Sequence, residues 1–215
     1  MKHDYNTYWE KCWKEDDSAE VYKYLDMYFE LKSREIEIFK EHNIVNVCDA
    51  ACGFGAYSLA FASNGFHVQS FDISETAVEI TKNGLERYKI DATNVKVASI
   101  LDTGYADDSF DGVIAHAVLD HLTVEDAKKA LKELLRITRT KGLILISFDI
   151  AEDDDMKESH ITLEDGTMQY TGVSRKGMLF CPYDWDKINE LLKNYEIVYR
   201  ADKGNREHVV ILEKR

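Results

Sequence analysis

The sequence feature that most constrains the fold is a short glycine-containing loop between a strand-like and a helix-like segment. An apolar run over 44–49 leads into Gly53 and Gly55, and a second strand-like run over 66–72 ends at Asp72. Because glycine has no side chain, a ligand can approach the loop backbone closely, and the first N–H groups of the following helix attract anionic groups. The order of these segments predicts a ligand crevice at the carboxyl ends of parallel strands.

The alternation of strand-like and helix-like segments continues beyond this loop. The remaining strand-like runs of the repeat cover 95–99, 110–115 and 142–149. The continuously apolar stretch 143–146 is typical of a parallel strand buried on both faces. Ser74 and Thr123 are predicted N-caps of two helices, and Gly142 is predicted to end the second helix. This alternation predicts an α/β fold with a Rossmann-like, doubly wound and mostly parallel sheet.

Segments outside this repeat complete the predicted organisation. They are an N-terminal helical cover over 1–42, an irregular substrate-side insertion over 150–181 and a closing segment over 182–215, all flanking a core over 44–149. The closing segment predicts a helix and two strands joined by a turn at Gly204, hence a C-terminal antiparallel hairpin. With that hairpin the sheet has seven strands, and we expect residues 1–215 to form a single domain.

Charge and composition exclude several classes of protein. Asp and Glu outnumber Lys and Arg by 40 to 27, which gives a net charge of −13, whereas nucleic-acid binders carry clustered basic residues. No apolar run reaches the ~18 residues of a membrane span, and the polar first residues do not resemble a signal peptide. We therefore expect a cytoplasmic protein. The four cysteines lack metal-ligand spacing, so a reduced protein without a metal is expected.

The residues around the loop distinguish two classes of ligand. A dinucleotide-binding loop has a third glycine where this chain has Ser58, and Asp49 ends the strand before the loop. A carboxylate at that point disfavours a pyrophosphate and favours a ligand with ammonium and sulfonium groups. S-adenosylmethionine is such a ligand, with a carboxylate for the start of the helix and a ribose whose hydroxyls suit Asp72.

An ordered set of motifs resembles the class I S-adenosylmethionine-dependent methyltransferases. The loop over 49–58 is similar to their motif I, with Ala51 in place of its first glycine, and 71–74 is similar to the acidic motif of their second strand. Further similar segments, in chain order, are 109–114, 119–122 and 141–145. An ordered match over 44–149 is more specific than any one of these motifs.

The resemblance implies a set of residues around the methyl donor. They come from the glycine loop and from the ends of the second, third and fourth strands: Asp49, Ala51, Gly53, Gly55, Tyr57, Asp72, Ile73, Ser99, Ile100 and His116. Ser99 stands where the family usually has an adenine-binding Asp, and Asp102 is the alternative contact for adenine.

The resemblance implies no fixed catalytic residue, because the methyl donor is already activated and its transfer is an in-line displacement. His116, expected just past the fourth strand, is the candidate general base, and a strand-end histidine with a structural hydrogen bond fits equally well. His121 is expected to be structural. Candidates for a lid or for substrate contacts are Tyr5, Tyr8, Trp9, Asp149, His160 and Tyr170.

The sequence thus predicts a methyltransferase with a small-molecule acceptor, acting as a monomer or homodimer without a membrane. The acidic charge supports the small acceptor over nucleic acid. An RNA or protein methyltransferase, a nicotinamide-dependent oxidoreductase and a catalytically silent binding module remain alternatives. The acceptor atom, whether O, N, S or C, stays open.

Overall fold

A seven-stranded sheet forms the centre of the protein, whose computed structural model describes residues 3–15 and 18–215. Its strands are β1 (Asn46–Ala50), β2 (His67–Asp72), β3 (Val95–Val97), β4 (Phe110–Ala115), β5 (Thr138–Asp149), β9 (Glu196–Lys203) and β10 (Glu207–Glu213). Their order across the sheet is β3-β2-β1-β4-β5-β10-β9. The first five are parallel, whereas β10 is antiparallel to both β5 and β9. The predicted fold class and the C-terminal hairpin are therefore confirmed.

Eight α-helices connect and cover the strands in the described part of the chain. They are α1 (Tyr5–Glu15), α2 (Ser18–Leu25), α3 (Arg34–Glu41), α4 (Ala56–Ser63), α5 (Glu75–Arg87), α6 (Val124–Ile137), α7 (Asp153–Lys157) and α8 (Trp185–Leu192). The predicted helical cover over 1–42 comprises α1 to α3, and its residues 1, 2, 16 and 17 lie outside the described residues. None of the helices in 3–15 and 18–215 has both the length and the apolar character needed to cross a membrane.

Helix caps place two of these helices as the sequence predicts. The Ser74 hydroxyl accepts a hydrogen bond from the Ala77 N–H (3.0 Å) at the start of α5. The Thr123 hydroxyl accepts one from the Asp126 N–H (3.2 Å) at the start of α6. Each cap satisfies a backbone donor that has no partner within its own helix.

The interior strand β5 is buried on both faces, which explains its continuous apolar run. Ile144 and Ile146 pack in the cluster that includes α6 and α8, whereas Leu143 and Leu145 pack in the cluster that includes α3 and α4. All four side chains are fully buried. Burying each contributes roughly 1.5–3 kcal/mol relative to leaving it exposed, so helices must cover both faces of the sheet.

The end of α6 differs from the prediction. The helix ends at Ile137 rather than at Gly142, and β5 begins directly with Thr138. The Lys141 N–H donates to the Lys214 carbonyl (2.7 Å), so this segment bonds to the C-terminal strand region instead of continuing the helix. Gly142 is required by contact rather than by a helix end, because a Cβ there would lie 2.6 Å from the Asp111 carbonyl oxygen.

Residues 150–181, expected to be irregular, form an ordered structure. They contain α7 and a three-stranded antiparallel sheet of β6 (His160–Thr162), β7 (Met168–Tyr170) and β8 (Leu179–Phe180). The Cys181 N–H donates to the Asp120 carbonyl (2.7 Å), which ties the end of β8 to the turn after β4. The small sheet is therefore held against the edge of the ligand crevice.

Candidate active site

A cavity of about 340 Å³ lies at the carboxyl ends of the parallel strands. Its floor is the loop between β1 and α4 together with the ends of β2, β4 and β5, and α1 lies over it. It is where ligands bind in open α/β sheets. The lining residues include Tyr5, Trp9, Trp13, Asp49, Ala51, Gly53, Tyr57, Asp72, Ser99, His116, His121 and Asp149.

The glycine loop has a backbone conformation that only small residues adopt readily. Ala51, Gly53 and Gly55 all have positive φ, at 57°, 54° and 84°. At Gly53 an added Cβ would lie 2.9 Å from a ring carbon of Trp13, and at Gly55 it would lie 2.8 Å from the Thr81 methyl group. Left-handed backbone and close neighbours together explain two glycines within three residues.

Asp72 joins the glycine loop to the start of α5. Its carboxylate accepts hydrogen bonds from the N–H groups of Gly53 and Ser74, both at 2.9 Å. Burial raises the pKa of Asp72 and outweighs these hydrogen bonds, which lower it. Each carboxylate oxygen keeps a further lone pair, so Asp72 can still accept hydrogen bonds from a ligand in the cavity.

Asp49 places a second carboxylate beneath the loop. It is 2% exposed and accepts a hydrogen bond from the Ser58 hydroxyl at 2.6 Å. Ser58 also lies 2.7 Å from the Ser70 hydroxyl of β2. Burial raises the pKa of Asp49 to about 6. A cationic ligand group near this carboxylate would stabilise its ionised form.

Helix α1 covers the cavity with aromatic side chains and is held by polar contacts at its start and its middle. The Tyr5 hydroxyl donates to Asp126 of α6 (2.8 Å). Glu10 accepts hydrogen bonds from the hydroxyls of Ser74 (2.6 Å) and Thr76 (2.8 Å) at the start of α5. These contacts bring Tyr5, Trp9 and Trp13 to the cavity wall.

Two histidines lie on the side of the cavity away from β3. His116 follows β4; its ring centroid is 4.4 Å from that of Tyr57, and its Nε2 lies 2.8 Å from Glu207 Oε2 of β10. Burial opposes the charged form of His116, but Glu207 outweighs burial and raises the pKa. His121 lies on the turn after β4 (Leu119–His121) and contacts Trp9 edge to face, with ring centroids 5.0 Å apart.

One group of three possible metal-binding side chains occurs in the described part of the chain: Asp120, His121 and Asp149. Each offers one ligand atom, and the three atoms lie within 4.8 Å of one another. His121 Nε2 and Asp149 Oδ2 are 4.0 Å apart. Neighbouring ligands bound at about 2.1 Å to a tetrahedral or octahedral ion lie only about 3–3.5 Å apart. The 4.0 Å between His121 and Asp149 is thus wider than the distance between two neighbouring ligands of such an ion.

Most predicted cofactor residues line this cavity. All ten do so except Gly55, which lies beneath the loop against Thr81. Ser99 lines the cavity, whereas its alternative Asp102 is not among the lining residues. The structure places these residues together, and their roles toward a cofactor remain predictions.

The predicted lid and substrate residues are divided. Tyr5, Trp9 and Asp149 line the cavity, whereas Tyr8, His160 and Tyr170 do not. His160 and Tyr170 pair across β6 and β7 of the small sheet, with ring centroids 5.9 Å apart. The Tyr170 hydroxyl donates to the Asp155 carbonyl (3.1 Å), so it is used within the insertion.

Sequence reasoning missed several lining residues, chiefly Trp13, Tyr28, Phe54 and Leu101, and took His121 to be structural. Trp13 and Trp9 are four positions apart on α1 and therefore share a helix face. That spacing was available in the sequence. The contact of His121 with the small sheet was not, because it depends on residues far away in the chain.

A family model described as a methyltransferase domain matches residues 48–146. This range contains the glycine loop, Asp72 and His116. It starts in β1 and ends within β5, so it covers the floor of the cavity but not α1. Residues 48–146 are thus similar to a methyltransferase domain, in agreement with the motifs that resemble the class I S-adenosylmethionine-dependent methyltransferases.

Solved structures of the superfamily share this fold. A protein from Methanosarcina mazei described as an S-adenosylmethionine-dependent methyltransferase superposes with a TM-score of 0.69 at 19% identity. The match covers 85% of this chain and 98% of that one. At this identity the likeness concerns the fold alone, and it extends beyond the 48–146 range.

Curated relatives include methyltransferases with different acceptors. Demethylmenaquinone methyltransferase of Clavibacter sepedonicus is 35% identical over 100 residues, which is 46% of this chain and 39% of the relative. A tRNA (carboxymethyluridine(34)-5-O)-methyltransferase of Arabidopsis thaliana is 33% identical over 110 residues, covering 51% and 25%. Other relatives are matched over 40% to 56% of their length. The chain thus matches less than two thirds of each of these proteins.

Proposed function

We propose that the protein transfers a methyl group from S-adenosylmethionine to a small-molecule acceptor. The observation that carries this proposal is the contact between Gly53 and Asp72 on the cavity floor. Through this contact, a loop whose backbone a ligand can approach lies beside a carboxylate that can bind ribose hydroxyls. The match of residues 48–146 to a methyltransferase domain supports the same reaction.

The side chains of the cavity fit the chemical groups of this methyl donor. Asp72 would accept hydrogen bonds from the ribose, and Asp49 would face the ammonium group. Ser99 and the adjoining Ile100 would border the adenine. When bound, the donor supplies a methyl carbon activated by a sulfonium. The protein aligns the acceptor with that carbon and excludes water, for which the aromatic cover of Trp9 and Trp13 is suited.

A small acceptor is favoured by the cover over the cavity. Helix α1 lies across the cavity, tied to α6 through Tyr5 and to α5 through Glu10. The net charge of −13 also opposes binding to a phosphate backbone. The similarity to demethylmenaquinone methyltransferase agrees with a small acceptor. We also propose that residues 1–215 form a single domain, since side chains of α1 line the same cavity as the strand ends of the sheet.

An RNA acceptor is the second candidate. The 33% identity over 110 residues with a plant tRNA methyltransferase favours it. The two candidates differ in the acceptor, so binding of the methyl donor alone cannot distinguish them.

Calorimetric titration with S-adenosylhomocysteine, with NADH in parallel, tests the proposal. We expect micromolar binding of S-adenosylhomocysteine and none of NADH. NADH binding alone would favour an oxidoreductase, and binding of neither would favour a catalytically silent module. Incubation with a tritiated methyl donor and either a small-metabolite extract or total RNA then identifies the acceptor class. Label in RNA alone would overturn the small-molecule proposal.

A further inference from the structure

The hydrogen bond of His121 fixes which ring nitrogen carries the proton. His121 Nδ1 lies 3.0 Å from the Leu179 carbonyl oxygen of β8. A carbonyl oxygen only accepts hydrogen bonds, so Nδ1 must carry the hydrogen and donate it. In the neutral ring Nε2 is then unprotonated, with its lone pair free to accept a proton.

Nε2 faces a carboxylate that can stabilise a proton taken up there. Asp149 Oδ2 lies 4.0 Å away, too far for a hydrogen bond to the neutral ring. Both side chains line the main cavity. If Nε2 took up a proton, His121 and Asp149 would change from two hydrogen-bond acceptors into an ion pair. The His121 ring is held for this by Leu179 on one nitrogen and by the edge-to-face contact with Trp9.

His116 differs from His121 in the group beside its Nε2. This nitrogen lies 2.8 Å from Glu207 Oε2, and the carboxylate favours a proton there. A nitrogen that carries a proton has no free lone pair. Of the two histidines, His121 is the one whose Nε2 can accept a proton and whose ring lines a second cavity as well.

His121 also stands between two cavities. Together with Tyr5 and Trp9 it lines both the main cavity and a second one of about 240 Å³. The second cavity lies between α1 and the small sheet, where Gln169 and Leu179 contribute to its wall. An acceptor that enters from this side would meet the His121 ring before the end of the glycine loop.

We propose that His121 is the general base of the methyl transfer and that the acceptor is a neutral molecule with a hydroxyl group. This inference rests on the proposed function. In the step, the acceptor oxygen forms a bond to the methyl carbon while the carbon–sulfur bond breaks and its electron pair stays on sulfur. The hydroxyl proton goes to His121 Nε2. The resulting imidazolium is paired with Asp149 and later releases the proton to water.

The acids around the cavity explain why a hydroxyl acceptor needs this base. Asp49, Asp149 and Glu207 give the region negative charge, which disfavours an anionic acceptor. A hydroxyl bound there remains protonated and is a weak nucleophile. An amine bound in its neutral form attacks through its own lone pair and loses its proton afterwards, and a thiol ionises easily. Among neutral acceptors, removal of a proton during attack is therefore a requirement of the hydroxyl alone.

Several titratable groups surround the His121 ring. They are Asp120 on its own turn, His116 after β4, Asp149 on β5, Tyr5 and Tyr8 on α1, and His3, Asp4 and Lys176 around the second cavity. Glu207 on β10 acts on Asp149 and lies beside His116. Asp149 is the group that faces Nε2 at 4.0 Å. The pH dependence of the reaction is therefore tested with separate variants of His121 and Asp149.

The variant His121→Asn separates the base from the structural hydrogen bond. Its amide N–H can still donate to the Leu179 carbonyl, but Nε2 is lost. We expect kcat to fall roughly 100-fold or more, while affinity for S-adenosylhomocysteine stays the same. The matched control is His42→Asn, because the exposed His42, which follows α3 directly, makes the same type of bond from Nδ1 to the Ile38 carbonyl (2.9 Å). This control should keep the wild-type rate.

The pH profile distinguishes a base from a structural residue. The pH profile of wild-type kcat should have a limb that His121→Asn lacks. Asp149→Asn should displace this limb, because the imidazolium loses its counter-ion. A His121→Asn enzyme that keeps the limb or the rate would overturn the assignment. Activity lost with EDTA and restored by Mg²⁺ would also overturn it, in favour of a metal.

NMR provides a test that needs no acceptor. Long-range ¹H–¹⁵N spectra of the full chain with saturating S-adenosylhomocysteine report the tautomer of each histidine. We expect the neutral His121 ring to carry its proton on Nδ1; a proton on Nε2 would overturn the proposal. Absence of S-adenosylhomocysteine binding in the same sample would instead contradict the proposed function, so the two failures are distinct.

Discussion

The two sides of the cavity are built in different ways. The donor side consists of the glycine loop, Asp49 and Asp72, all within 24 consecutive residues from 49 to 72, and its key contact is a backbone N–H bonded to a carboxylate. The acceptor side combines Trp9, His121, Asp149 and the Leu179 carbonyl, which belong to four separate segments.

This difference shows which part of the sequence determines each side of the cavity. A donor side made by one strand–loop–helix–strand unit depends on backbone conformation, so small residues and one carboxylate suffice to specify it. An acceptor side made by distant side chains depends on how α1 and the small sheet pack on the core. Substitutions should therefore affect the two sides separately.

The largest expected effect is the loss of the donor side in Gly53→Val. The substitution forces a β-branched residue to φ 54° and places its Cβ 2.9 Å from Trp13. Strain of this type costs about 1–3 kcal/mol, and the displaced ring would also enter the cavity. We expect S-adenosylhomocysteine binding to fall below detection in calorimetry.

The control for that variant is Gly204→Val in the hairpin turn. Gly204 has a similar φ of 61°, but an added Cβ there meets nothing within 4 Å. It therefore carries the backbone strain without the contact. Equal loss of binding in both variants would contradict the local role of the loop.

Asp49→Asn should change stability and ligand binding in opposite directions. Burial raises the pKa of Asp49 from 3.8 to about 6, so the folded state binds the proton more tightly than the unfolded chain does. Stability is therefore lost as the pH rises from about 4 to about 6. A shift of this size corresponds to about 3 kcal/mol at most. At pH 7 the variant should gain up to this amount and bind S-adenosylhomocysteine less tightly.

Urea denaturation at pH 7 and pH 4 measures this effect. The stability gain should shrink toward pH 4, where Asp49 is protonated in the folded wild-type protein. The exposed Asp186→Asn serves as the control, and its stability change should be small at both values. A variant equally stabilised at both pH values would show that the buried charge is not the cause.

The fold was predictable because its signals are local. The apolar run of β5 and the caps Ser74 and Thr123 follow from residues close in sequence. The prediction for the end of α6 was wrong because Gly142 is required by Asp111, which is 31 positions earlier. Likewise, the small sheet of 150–181 has strands of two or three residues, too short for a period-two pattern to indicate.

The site was likewise predictable where its residues are close together in the sequence. Asp49, Gly53 and Asp72 follow from one motif, and the structure brings them together. His121 could be located but its environment could not, because its partners Leu179 and Asp149 lie 58 and 28 positions away. The sequence shows that a histidine is present at position 121. Which of its ring nitrogens is free depends on the packing of β8 against it, which the sequence does not show.

Asp72→Ala should weaken donor binding by an intermediate amount. A hydrogen bond to a charged group contributes about 1.5–3 kcal/mol, which corresponds to roughly a ten- to hundredfold rise in the Kd for S-adenosylhomocysteine. The variant also removes the acceptor of the Gly53 and Ser74 N–H groups. Comparison of the Tm of Asp72→Ala with that of Asp186→Ala shows whether weaker binding results from a less stable fold. Unchanged affinity would exclude Asp72 from the ribose site.

Tyr5→Phe should give the smallest effect and the one that is confined to the acceptor side. It removes the hydrogen bond from Tyr5 to Asp126 that ties the start of α1 to α6, and keeps the ring on the cavity wall. Such a bond contributes about 0.5–1.5 kcal/mol, so local opening of α1 should increase roughly two- to tenfold. Hydrogen exchange in α1 measures it, with Tyr24→Phe on an exposed site of α2 as the control. Because Asp49 and Asp72 keep their contacts, S-adenosylhomocysteine affinity should change little. A loss of affinity as large as that of Asp72→Ala would mean that the two sides are not separate, and that the start of α1 belongs to the donor site together with Trp13, which lies beside Gly53.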